Sequence, residues 1–139
     1  MSQQDLELVR HMNQAFNEHR REWVEYYTED AEVHVPPGWL EDRVFIGHGG
    51  MEEVAGLWTQ TVSEYRWDIE ELLDAGDCVV GLFRFSSRMD SEGRWISPPL
   101  GAVFSMREGK VARVRTYFSW SEARRAAGLE ETGQGSSAR

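Results

Sequence analysis

The second half of the chain limits the fold most. Four runs of strand-forming residues, 65–73, 78–88, 94–106 and 110–118, follow one another with very little chain between them. The connectors Ala75-Gly76-Asp77, Asp90-Ser91-Glu92-Gly93 and Arg107-Glu108-Gly109 are too short for a crossover. Neighbouring runs must therefore pair as antiparallel hairpins. Pro98-Pro99 interrupts the third run and requires an edge, a bulge or a sharp bend there, because proline donates no ladder hydrogen bond.

The first half reads differently. Leu6, Val9, Met12 and Phe16 recur at spacings of three and four, which predicts an amphipathic helix over 4–19. A short helix over 21–28 would present Trp23, Val24 and Tyr27 to the core. Residues 31–35 alternate as a strand until Pro36-Pro37 ends it, and after a loop at 38–42 residues 43–46 form a short returning strand. Gly47-His48-Gly49-Gly50 then breaks the chain. Met51, Val54, Ala55, Trp58 and Val62 mark a third helix. At the other end, Ser119 and Glu122 form an S-x-x-E capping box, and Gly128-Leu129 reads as a Schellman stop. Residues 130–139 are polar and rich in Gly and Ser, so a disordered tail is expected after a single domain spanning 1–129. Three helices followed by a long meander make an α+β fold with helices on one face of the sheet.

Charge and composition exclude several functions. There are 15 Lys and Arg against 24 Asp and Glu, a net charge of -9. Nucleic acid needs a basic stripe, and anionic membrane surfaces attract the same charge, so neither is an expected partner. No apolar run approaches the roughly 20 residues of a membrane span. Met-Ser-Gln-Gln-Asp at the start lacks a basic segment and an apolar core, and a cytoplasmic location is expected. The one cysteine, Cys78, lies in an apolar run and reads as a buried thiol. His11, His19, His34 and His48 form neither an H-x-H pair nor an H-E-x-x-H helix, so no metal site and no cofactor are expected. Gly47-x-Gly49-Gly50 lacks the Lys of a phosphate loop and reads as a turn.

Four stretches carry a family resemblance. Tyr26-Tyr27-Thr28-Glu29-Asp30-Ala31-Glu32-Val33-His34-Val35-Pro36 resembles the helix-to-strand corner of nuclear transport factor 2-like proteins. Phe45-Ile46-Gly47-His48-Gly49-Gly50-Met51 with Val54 and Trp58 resembles their strand, glycine turn and third helix. Phe104 to Val111 is similar to the penultimate hairpin, and Tyr117-Phe118-Ser119 with Glu122-Ala123 and Ala127-Gly128-Leu129 to the closing segment of SnoaL-like polyketide cyclases. The resemblance covers nearly the whole chain except the tail. It implies a cystatin-like cone: a curved antiparallel sheet wrapped around three N-terminal helices, with an apolar pocket and usually a homodimer through the convex face. Val79, Gly81, Phe83 and Phe85 share one strand face. If that face is convex, a monomer would expose an apolar patch.

The superfamily's chemistries can be tested residue by residue. Steroid isomerases of this fold use a carboxylate base, a Tyr and a protonated Asp; the corresponding positions here are Val35, Met12 and Ala102. The acid–base pair of SnoaL-type cyclases falls on Ala102 and Ser119, and a serine hydroxyl is far too weak an acid to replace a carboxylate. An epoxide-hydrolase arrangement needs an Asp–Arg–Asp set, and the strand-borne Arg84, Arg113 and Arg115 have no evident carboxylate on their own strands. His34 reads either as an ordinary hydrogen-bonding residue or as a lone general base. With His34, Tyr117 and Ser119 as the remaining catalytic candidates, whether the chain is an enzyme stays open. The residues expected to meet a ligand are Trp23, Tyr27, Val35, Trp39, Trp58, Trp95 and Tyr117 as walls, with Arg84 and Arg115 as clamps for an anion. Arg84, Arg113 and Arg115 equally suit surface salt bridges. Two functions follow: a cyclase, isomerase or hydrolase acting on a small hydrophobic or aromatic molecule without the usual dyad, or a non-catalytic ligand-binding or dimeric scaffold domain.

Overall fold

The computed structural model describes residues 3–39, 43–60, 62–90 and 92–129. The expected tail lies outside the described residues. Helix α1 (Gln3–Asn17) buries Val9 and Met12 of the expected stripe together with Ala15, and leaves Leu6 and Phe16 half-buried. Residues Arg21–Tyr26 form a 3₁₀ helix, shorter than the predicted second helix because Tyr27 already begins strand β1 (Tyr27–His34). Strand β2 (Val44–Ile46) returns antiparallel to β1, and α2 (Gly47–Thr59) starts at once on the glycine turn. Gly47 takes φ 76°, and a Cβ there would stand 3.1 Å from the Glu29 carbonyl oxygen. His48 donates from Nε2 to the Tyr27 carbonyl at 2.9 Å, which fixes α2 against β1.

The long strands are β3 (Glu64–Asp74), β4 (Cys78–Arg88), β5 (Pro99–Arg107) and β6 (Lys110–Tyr117). They form the expected meander in a six-stranded sheet ordered β2-β1-β6-β5-β4-β3, closed on one side by parallel pairing of β1 with β6. The third run splits at its prolines. Ile96 makes an isolated antiparallel bridge with Ser87, and the ladder proper resumes at Pro99. Strand β3 is an edge, and its exposed backbone is met by α1: Asn17 exchanges two hydrogen bonds with Trp67, at 2.8 and 2.9 Å. Side-chain amides thereby satisfy groups that would otherwise invite another strand.

Two apolar cores lie on opposite faces. On the inner face α1, α2 and the 3₁₀ helix pack over Val33, Val79, Phe83, Phe104 and Val114. On the outer face α3 (Trp120–Ala126) lays Ala123 over Val80, Leu82 and Val103. This corrects one expectation. Val79 and Phe83 belong to the inner face, with Phe85 packed edge-on against Trp58 there, so they leave no patch on the outside. Two register shifts explain why simple alternation fails in places. Ile69 and Leu72 both pack inward across the irregularity at Glu70, and Val111 and Val114 do so across the one at Ala112.

An apolar cavity under the helices

Between the helices and the inner face lies an apolar cavity of about 110 Å³. Helix α1 contributes Met12, Asn13 and Phe16, and the 3₁₀ helix Trp23. Tyr27 and Val33 come from β1, and Met51, Val54, Ala55 and Trp58 from α2. The sheet closes it with Trp67, Phe83, Ala102, Phe104, Val114 and Thr116.

Part of its wall is built of aromatic rings packed edge to face. Trp67 meets Phe83 at 5.4 Å and 86°, and Trp58 meets Trp67 at 6.1 Å and 68°. Behind Trp58, Trp39 stacks at 5.0 Å and 12°, so it supports the wall without lining it. Edge-to-face contacts of this kind suit the ring quadrupoles and resist collapse of the space between them.

Polar groups are few. The Asn13 amide donates to the Trp67 carbonyl at 3.0 Å, and the Thr116 hydroxyl to the His34 carbonyl at 2.7 Å. Tyr27 is only 6% exposed, and burial pushes its hydroxyl above the ordinary tyrosine value. That hydroxyl meets no hydrogen-bond partner among the described residues.

Of the residues expected to meet a ligand, Trp23, Tyr27 and Trp58 line this cavity. Val35 and Trp39 pack against the same core. Arg84, Trp95, Arg115 and Tyr117 lie elsewhere. Trp95 is 43% exposed, with the Arg66 and Arg88 guanidinium groups at 5.6 and 5.1 Å from its ring centre. Arg84 donates to the Ser97 carbonyl at 2.9 Å and lies over the Trp120 ring. Tyr117 packs beside Trp120 against the outer core. The pleat decides this: Val114 and Thr116 take the cavity side of β6, which sends Arg115 and Tyr117 to the other face. Ser119 lies past the end of β6 as the cap of α3, where the pleat no longer applies. Asn13, Trp67 and Thr116 were not anticipated in the site. Trp67 had a signal, since it alternates with Asp68 and so faces away from that carboxylate.

A match to the SnoaL-like domain family covers residues 9–114, more than half of the chain. The chain belongs to the SnoaL-like family. Its fold is shared with TerC, crystallised with polyporic acid (TM-score 0.73, 19% identity, 90% of this chain and 98% of that one). A nuclear transport factor 2-like protein of unknown function from Burkholderia pseudomallei aligns equally well (TM-score 0.73, 19% identity, 90% and 97%). A Catenulispora acidiphila protein of ketosteroid isomerase-like fold in complex with trimethylamine shares the fold less closely (TM-score 0.68, 14% identity, 88% and 93%). No curated protein matches the chain.

Within this SnoaL-like frame the two positions of the cyclase pair are informative. Ala102 does line the cavity, but carries nothing that moves a proton. Ser119 accepts from the Glu122 backbone N–H at 3.1 Å, the first bond of the α3 cap, and does not line the cavity. His34 points outward and lies 2.9 Å from Glu32, away from the cavity. Cys78 is buried in the outer core, where burial and then the nearby Asp77 carboxylate push its thiol up. No described helix is long and apolar enough to cross a membrane.

Proposed function

We propose that this SnoaL-like protein holds a small, largely apolar molecule in the cavity and performs no acid–base chemistry on it. One observation carries the reading. Among the described residues lining the cavity there is no Asp, Glu, His, Lys, Arg or Cys, and the only ionisable side chain is Tyr27, whose proton is held by burial. A positioned acid or base typically contributes 10²–10⁴-fold to a reaction, and the site offers none. At about 110 Å³ the cavity is smaller than the roughly 150 Å³ apolar cavity that takes up benzene, so it suits nothing larger than a single ring. With no cation on the wall, an anionic ligand would be desolvated without compensation. A thermal-shift screen with toluene and anisole tests this. A ligand at 100 times its Kd stabilises the folded chain by about 2.7 kcal/mol. No shift with either, or turnover of a Δ5-ketosteroid well above buffer, would refute the reading.

A second reading concerns the outer face beside β2, where Val44 and Ile46 are 41% and 56% exposed. They stand opposite His34 and Glu32 in the ladder, and the next strand adds Arg115, whose Nε is buried with no partner among the described residues. Apolar edges beside an unsatisfied guanidinium nitrogen favour a homodimer through this region. Light scattering should give twice the 16.0 kDa chain mass at micromolar concentration. A mass of one chain, unchanged by Ile46→Asp, would exclude it.

A further inference from the structure

We infer that the Tyr27 hydroxyl is the recognition group of the cavity, donating a hydrogen bond to a neutral carbonyl or ether oxygen on a one-ring ligand. The inference rests on the reading of the cavity as a binding site and adds the chemistry it selects. Tyr27 lines the cavity, is more than nine-tenths buried, and its hydroxyl has no partner among the described residues. Among the described residues the fully buried side-chain atom without a partner is Arg115 Nε and not the Tyr27 hydroxyl, so that hydroxyl keeps surface that a ligand oxygen can reach. The other short polar side chains on the wall are already engaged: the Asn13 amide holds the Trp67 carbonyl and the Thr116 hydroxyl holds the His34 carbonyl. Trp23, Trp58 and Trp67 are only partly buried, whereas Tyr27 is a buried wall residue that carries a hydroxyl.

The tyrosine is also held in place. His48 binds its carbonyl at 2.9 Å, and Trp23 stands edge-on to its ring at 6.1 Å and 85°. A donor fixed before the ligand arrives loses little freedom on binding, which makes a single hydrogen bond selective. Because burial disfavours the phenolate, the hydroxyl keeps its proton across the physiological range and can donate to an acceptor. A carboxylate would also accept the bond, but no cation on the wall would offset its lost hydration.

The test is titration calorimetry with three one-ring probes, toluene, acetophenone and benzoate, on the wild type and Tyr27→Phe. The wild type should bind acetophenone roughly tenfold more tightly than toluene, the yield of one net hydrogen bond. Benzoate should bind more weakly than acetophenone. Tyr27→Phe should keep its toluene affinity and lose the acetophenone preference. Retained toluene binding also shows that the variant is folded. Equal binding of toluene and acetophenone by the wild type overturns the Tyr27 assignment and leaves the cavity reading standing, as does a Tyr27→Phe variant that keeps the preference. Benzoate binding most tightly overturns the neutral ligand class. If none of the three binds the wild type, both readings fall together.

Discussion

Phe83→Ala is expected to destabilise the chain by about 3–5 kcal/mol, the range for deleting a buried aromatic ring. Phe83 is 2% exposed and packed edge-on against both Trp67 and Phe104. Its ring lies over Gly81, where a Cβ would come within 2.2 Å of Phe83 Cε1. With glycine beneath, no side chain is available to collapse into the space, so the loss should fall high in the range. The same substitution enlarges the cavity, because Phe83 is part of its wall. A two-ring hydrocarbon such as naphthalene should then bind the variant better than the wild type. At 100 times its Kd it would recover about 2.7 kcal/mol. Urea unfolding with and without naphthalene checks both effects. A loss below about 1 kcal/mol, outside the range for such deletions, would mean that Phe83 is not a wall of this core.

The features that were legible in the sequence are local ones. Strand β4 coincides with the predicted run 78–88, and Ser119 caps α3 as the S-x-x-E pattern required. The helix stop is equally local: Leu129 bonds the Arg124 carbonyl and Gly128 the Arg125 carbonyl, with Gly128 at φ 80°. Each depends on residues within a few positions of one another. Membership of the cavity is a different kind of fact. It depends on which side of the pleat a residue takes, and one irregularity reverses the count. Arg115 and Tyr117, both expected at the cavity, take the other face of β6, although Thr116 between them does line it. The tryptophans divide for the same reason. Trp23, Trp58 and Trp67 line the cavity, Trp39 braces it, Trp95 is exposed, and Trp120 donates its indole N–H to the Phe83 carbonyl on the outer side. Composition suggests a need for aromatic walls without saying which rings supply them.

Gly101→Ala is expected to destabilise the chain by about 1–3 kcal/mol, the usual effect of overpacking a tight contact. Gly101 is buried on β5 beneath α3, and an added Cβ would stand 2.5 Å from Ala123 Cβ and 3.1 Å from the Ser119 carbonyl oxygen. Neither neighbour is the loose end of a side chain. One is the first carbon of a helical alanine and the other is backbone at the helix cap. The helix cannot easily move aside, since it is capped at Ser119 and anchored where Trp120 donates to the Phe83 carbonyl at 2.9 Å. An alanine also reduces the freedom of the unfolded chain, a gain of about 0.4–1 kcal/mol that offsets only part of the clash. Ala123→Gly removes the closest contact but lowers helix propensity by about 1 kcal/mol. The two substitutions should therefore couple. Together they should be less damaging than the sum of each alone, by at least about 0.5 kcal/mol in a double-mutant cycle. Toluene affinity should be unchanged in Gly101→Ala, because α3 and the cavity lie on opposite faces of the sheet. Additive losses in the cycle would show that α3 does not rest on Gly101, and a weakened toluene affinity would show that the two faces are not independent.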